Sequence, residues 1–133
     1  MSYFITPVGN YMSILVIDVN AAAAEQLADQ LRHSGFAVDA VTSCPAALRA
    51  VRARYYGSMI FVGDLSDPQD LNCIAELRRQ VPRTWMIMIS ATALHDRREL
   101  FLRYGVDALL AIPFSIQDLT DRLSAFSMRS RPP

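Results

Sequence analysis

Residues 13–42 read SILVIDVNAAAAEQLADQLRHSGFAVDAVT, and their reading decides the fold. The stretch opens on Ser13–Ile17, a continuous β-branched run of the kind found in strands covered on both faces. Asn20 is placed to cap a helix in which Ala24, Leu27, Ala28 and Leu31 recur at helical spacing. Gly35 supplies the C-terminal stop, and Phe36–Thr42 then alternates as a second strand. A strand, a helix and a strand joined this tightly imply a crossover between parallel neighbours.

The same unit recurs outward along the chain. Ser43 or Cys44 precedes Pro45, a good first-turn residue, and Ala47, Leu48 and Val51 line one face of the helix that follows. Ser58–Gly63 reads as a third strand, and Asp67-Pro68 opens a helix with Leu71, Ile74, Ala75 and Leu77 inward. Trp85–Ser90 is the fourth strand, with Met86 and Met88 as core, and a helix from about Asp96 to Tyr104 ends at Gly105. Ala108–Ile112 is the fifth strand, and Ser115-Ile-Gln-Asp118 resembles a capping box at the start of a last helix through Phe126. Strict alternation predicts an α/β, flavodoxin-like (βα)5 fold, a doubly wound parallel sheet of strand order 2-1-3-4-5. Residues 1–12 read as an N-terminal extension, 13–127 as one domain and 128–133 as a tail or the start of a linker.

Composition narrows the function classes. Thirteen basic and thirteen acidic residues balance, which removes the electrostatic basis for direct nucleic-acid binding. No apolar run approaches the roughly 18 residues that span a bilayer, and the N-terminus lacks the pattern of a signal peptide, so a cytoplasmic location is expected. Cys44 and Cys73 stand isolated from each other and from any Cys/His cluster, and read as reduced, structural residues.

In a sheet of this kind, chemistry collects at the C-terminal ends of the strands. The first strand ends in Asp18-Val19-Asn20, the third in Gly63-Asp64-Leu65, the fourth in Ser90-Ala91-Thr92 and the fifth in Ile112-Pro113-Phe114. The first and third strands are neighbours in the expected order, so Asp18 and Asp64 face each other. Two adjacent carboxylates repel unless a cation or proton lies between them. They read either as a Mg²⁺ site beside a nucleophilic aspartate or as caps on the helices that follow.

ILVID at 14–18, DLSDP at 64–68, ISA at 89–91 and DALLAIPF at 107–114 together resemble the receiver domain of bacterial two-component response regulators, over Ser13 to Phe126. The resemblance implies phosphorelay signal transduction by a module that is not itself an enzyme. Asp64, four residues before Pro68, resembles the phosphoacceptor, and Ser90 the hydroxyl that turns toward the phosphoryl group. Asp18, Asp64 and the Ser66 carbonyl resemble the Mg²⁺ ligands. A sensor histidine kinase or phosphotransfer protein is the implied phosphodonor. A protein partner or a second copy is expected on the face of the fourth helix, fifth strand and last helix, where Arg97, Arg98, Leu109 and Ala111 lie.

Four positions depart from the family pattern. Val19 stands where a second acid, the closer metal ligand, is usual; Ile112 replaces the near-invariant lysine; and Leu109 replaces an aromatic that reports the state of the switch hydroxyl. Gly63 also takes the place of a bulkier apolar residue. The expectation is a degenerate receiver, phosphorylated weakly or not at all, with weak or absent Mg²⁺ binding. The alternative is a phosphorylation-independent module for protein binding or dimerisation. Ile112 reads as buried core, and the resemblance implies a cis Ile112–Pro113 peptide, a form that costs an X–Pro bond only about 0.5–1 kcal/mol, so that packing can decide it. Asp67 reads as a helix cap rather than a substitute ligand, His33 as a surface residue, and His95 as a solvated loop residue near the site. Arg78-Arg79 and Arg97-Arg98 read as solvated faces.

Overall fold

A computed structural model describes residues 13–64, 66–91, 103–128 and 131–132. Its elements are β1 (Ser13–Asp18), α1 (Ala21–His33), β2 (Ala37–Val41), α2 (Cys44–Ala53), β3 (Ser58–Val62), α3 (Pro68–Gln80), β4 (Trp85–Ser90), β5 (Ala108–Ala111) and α4 (Ile116–Ser127). The five strands pair in parallel in the order β2-β1-β3-β4-β5, as expected. The expected N-terminal extension and most of the helix expected over 96–104 lie outside the described residues, as do His95, Arg97 and Arg98.

Local sequence accounts for where the helices begin. Asn20 accepts from the Ala23 N–H, Ser43 from Ala46, Asp67 from Gln69 and Ser115 from Asp118, each satisfying a donor that the first helical turn leaves unpaired. Pro45 and Pro68 occupy first-turn positions where a missing N–H costs nothing. Beyond α1, Gly35 takes a φ of 100°, a conformation that a β-carbon disfavours.

Both faces of the sheet are covered. Ile14, Val16, Ile60, Ile87, Ile89 and Leu110 pack against α1 and α4 on one side. Leu15, Ile17, Met59, Phe61, Met86 and Met88 pack against α2 and α3 on the other. Trp85 stacks on Phe126 at 4.3 Å between ring centroids, tying the start of β4 to α4.

Three expectations change. The first concerns Arg78, which does not belong to a solvated face, whereas Arg79 does, pairing with Glu76 at the surface. The Arg78 guanidinium donates to the carbonyls of Val81, Thr84 and Gly105 and to the Asp107 carboxylate at 3.3 Å. Asp107 also accepts from Arg131 and from the Met86 N–H at 2.9 Å. Burial, with the Arg131 charge alongside, brings Arg78 down to about 10 against the opposing pull of Asp107. The cluster closes the edge of the sheet opposite the strand C-termini.

The second concerns Cys44 and Cys73, which are joined in a disulfide instead of standing reduced. The fold brings the first residue of α2 to within 6.0 Å of the middle of α3, Cα to Cα, a proximity that a separation of 29 residues does not signal. The third is Ile112, which is 47% exposed rather than core. The β4–β5 ladder ends at the Ser90–Ala111 pair, so Ile112 lies one residue past the strand, held by its N–H to the Ser90 carbonyl at 3.2 Å. The Ile112–Pro113 peptide is cis.

Asp107→Ala leaves two partly buried guanidinium groups and one backbone N–H without their acceptor. Denaturant unfolding should register a loss of about 3 kcal/mol, against less than about 1 kcal/mol for Arg79→Ala. A second expectation follows from Tyr56, buried at the foot of β3 with its hydroxyl donating to Asp39 at 2.6 Å. Burial and then this bond push the phenol up to about 12. The unfolded phenol ionises near 10, so the native state holds the extra proton. Stability should therefore be intact below about pH 10 and fall as pH rises toward about 12. Ultraviolet titration should show one phenol ionising near 12 that disappears in Tyr56→Phe; tyrosines that all titrate near 10 would contradict this.

Candidate functional site

The C-terminal edge of the sheet opens into a cleft of about 610 Å³. The β1–β3 register, which sets Asp18 opposite Val62, brings the first and third strand ends to the same level. Asp18, Asp64, Asp67 and Asp70 all contribute to the wall, with Cys44 and Cys73 beside them and Val19 and Ile112 at the mouth. Asp18 and Asp64 thus line one and the same cleft. Asp67 and Asp70 come with them.

Backbone amides hold these carboxylates. Asp18 accepts from the Asn20 N–H at 3.0 Å, and Asp64 from the Ser66 N–H at 2.8 Å and the Ser66 hydroxyl at 2.7 Å. Asp67 accepts from the Gln69 N–H at 2.9 Å, as the expected helix cap, and Asp70 accepts from the Asp64 N–H at 2.8 Å. Each bond puts the positive end of a peptide dipole on a carboxylate, a charge-assisted contact roughly twice as strong as a neutral one. No basic side chain lines the cleft among the described residues. The sequence contains no lysine at all; its 13 basic residues are arginines.

Asp70 is the residue that sequence reasoning missed. It lies in the first turn of α3, where an acid is ordinarily a favourable partner for the helix dipole and nothing more. Its carboxylate reaches back over Gly63. A β-carbon at position 63 would lie 2.7 Å from Asp70 Oδ2 and 2.6 Å from Phe61 Cε1, closer than atoms pack. Gly63 is thus what lets Asp70 hold the Asp64 backbone.

The remaining sequence candidates are distributed around this cleft. Ser90 ends β4 and is buried, one residue before Ala91 in the wall. Ser66 is exposed and contributes through its bonds to Asp64. Val19 is 80% exposed. Leu109 is half-buried against the α2–α3 side of the core, and Ala111 is exposed. His33 sits on the surface at the end of α1, its Nδ1 2.7 Å from the Asp29 carbonyl.

The site fits Mg²⁺ poorly. Mg²⁺ needs near-octahedral oxygen donors and is ordinarily held by one or two carboxylates with waters and phosphate oxygens. Among the described residues no three acidic, histidine or cysteine side chains are grouped to hold a metal, and Asp18 and Asp64 each commit an oxygen to a neighbouring N–H. The Val19 side chain, also in the cleft lining, offers no oxygen donor.

The response regulator receiver domain family matches residues 14–124. The chain belongs to that family. It is 32% identical over 123 residues to the transcriptional regulatory protein TcrA of Mycobacterium tuberculosis, a match covering 90% of this chain and 49% of that protein. Identity to the probable transcriptional regulatory protein TcrX of the same organism is 25% over 122 residues, covering 92% of this chain and 52% of TcrX. The chain thus spans about half the length of the curated relatives it matches. Among solved structures, the receiver domain of the Francisella response regulator 1452 superposes with a TM-score of 0.76 at 22% identity, over 88% of this chain and 97% of that one. A Clostridium difficile two-component response regulator gives 0.78 at 19% identity, over 89% and 97%. These likenesses establish the same fold. The described receiver has no helix long and apolar enough to cross a membrane.

Gly63→Ala should displace the Asp70 carboxylate, and Asp70→Ala should remove it. In both variants the Asp64 amide is expected to exchange with solvent faster than in the parent, with a stability loss of about 1–2 kcal/mol. Unchanged Asp64 exchange in both would show that Asp70 does not secure this loop.

Proposed function

We propose that this receiver is a degenerate one, in which Asp64 is the phosphoacceptor and phosphorylation is weak or absent. The observation that carries the reading is that apolar, exposed Val19 and Ile112 line the cleft, at the positions where the family resemblance implies the second metal-binding acid and the lysine. Phosphoryl transfer depends on positioning and on neutralising the charge spread over the transferred oxygens. Asp64 retains positioning, through Ser66 at its carboxylate and Asp70 at its N–H. Two sources of positive charge are reduced or lost. Their combined absence corresponds to about 3–5 kcal/mol of transition-state stabilisation, or two to more than three factors of ten in rate.

In this reading Ser90 is the switch hydroxyl, and Asp18, Asp64 and the Ser66 carbonyl supply at most a weak Mg²⁺ site. A sensor histidine kinase or phosphotransfer protein is the phosphodonor where transfer occurs. A second reading, favoured by the exposure of Val19 and Ile112, is a module that works through protein contacts without phosphorylation. Its contact face would include Leu109 and Ala111 together with Arg97 and Arg98.

Incubation with acetyl phosphate and Mg²⁺, read by intact mass, separates the two. The parent chain should label slowly and only at Asp64, and Asp64→Ala should abolish the label. Val19→Asp combined with Ile112→Lys should accelerate labelling at least about tenfold, by restoring a ligand and a cation. A double variant that stays inert, with the parent unlabelled, would favour the phosphorylation-independent module; label on another residue would remove Asp64 from its role.

A further inference from the structure

The disulfide lies at the cleft wall rather than in the middle of the core. Cys44 is the first residue of α2 and is half-buried, while Cys73 sits inside α3 at 5% exposure. The fold has little need of a staple here, because apolar clusters already cover both faces of the sheet in a chain of 133 residues. What the bond joins is specific: the start of α2 and the face of α3 that carries Asp70 one turn earlier. Asp70 in turn holds the Asp64 N–H.

We propose that Cys44 and Cys73 form a reversible redox site, a dithiol that a low-molecular-weight disulfide such as oxidised glutathione converts into the bond seen here. We further infer that its state sets how firmly the α2–α3 wall of the acidic cleft is held. A half-buried cysteine in the lining of an open cleft, paired with a buried one, is the arrangement of exchangeable rather than inert disulfides. The more exposed thiolate, Cys44 Sγ, attacks one sulfur of the small disulfide, breaking its S–S bond and releasing one thiol, which takes up the proton Cys44 gave up. The Cys73 thiolate then attacks Cys44 Sγ in the mixed disulfide, and the second small thiol leaves with the proton from Cys73. The two protein thiols are oxidised by two electrons and one small disulfide is reduced to two thiols. The oxidised state ties α3 to α2 and keeps Asp70 over Gly63. In the reduced state that tie is absent. Neither half of the inference requires Asp64 to accept a phosphoryl group.

The test begins with the whole chain without substitution. After anaerobic equilibration with mixtures of reduced and oxidised glutathione, the sample is acid-quenched, alkylated with N-ethylmaleimide and weighed intact. One transition from two alkylated thiols to none is expected across the buffer series. A chain that remains dithiol at every ratio, or remains disulfide even in fully reduced glutathione, would overturn the redox site. In Cys73→Ser the mixed disulfide should accumulate on Cys44, whereas Cys44→Ser should resist modification; the reverse pattern would overturn the order of attack. Amide exchange of residues 63–73 should be at least about threefold slower in the oxidised chain than in the reduced one. Equal exchange would overturn the coupling to the cleft, and because no phosphodonor is present it would leave the reading of Asp64 untouched.

Discussion

The parallel register of β1 against β3 is the constraint on which the cleft depends. Pairing Ile14 with Ser58 at one end obliges Asp18 to lie opposite Val62 at the other, so that the chain leaves both strands at the same level. A shift of one residue would turn the apolar side chains of a strand to the wrong face, and here both faces are buried. The core therefore enforces the register, and the register enforces the approach of Asp18 and Asp64. Carboxylates gather at this edge as a consequence of packing that takes place elsewhere in the sheet.

Gathering acids without cations raises an energetic question, and the structure answers it with peptide dipoles. Each of the four carboxylates in the cleft accepts from a backbone N–H, three of them from the residue two positions on and Asp70 from the Asp64 backbone. Such contacts stabilise ionised carboxylates and fix the loops that carry them. They do not substitute for a cation in transfer chemistry, because they are fixed to the carboxylates and not aimed at incoming phosphoryl oxygens. In the proposed reading the architecture of a receiver is retained, while the charge that would make it a fast acceptor is diminished. The absence of lysine from the whole chain removes the simplest compensation.

Much of this was legible in the sequence because the deciding signals are local. Strand runs, helix periodicity and the caps at Asn20, Ser43, Asp67 and Ser115 each depend on a few adjacent residues, and the alternation of elements then constrains the topology. What was not legible depends on distance along the chain. Arg78 reads as a surface cation until Gly105, Asp107 and Arg131 close around it. Cys44 and Cys73 read as independent until α2 and α3 pack side by side. Asp70 reads as an ordinary first-turn acid because only the turn after β3 reveals that Gly63 leaves room for it. Ile112 misleads for a different reason. Its apolar character suggests core, but the ladder stops at Ala111 and the next side chain falls at the mouth of the cleft.

The proposed function rests on an acidic cleft that keeps its architecture and binds a cation weakly or not at all. A ¹H–¹⁵N NMR titration of the chain with Mg²⁺, in buffer whose ionic strength is held constant with a monovalent salt, tests it most directly. The account predicts that the amides of Asn20, Asp64 and Ser66, which report on the Asp18 and Asp64 carboxylates, shift weakly and without saturation through millimolar Mg²⁺. Saturating shifts confined to these residues at millimolar Mg²⁺ would contradict it, and would mean that Asp18, Asp64 and their loop carbonyls suffice for the metal without an acid at position 19.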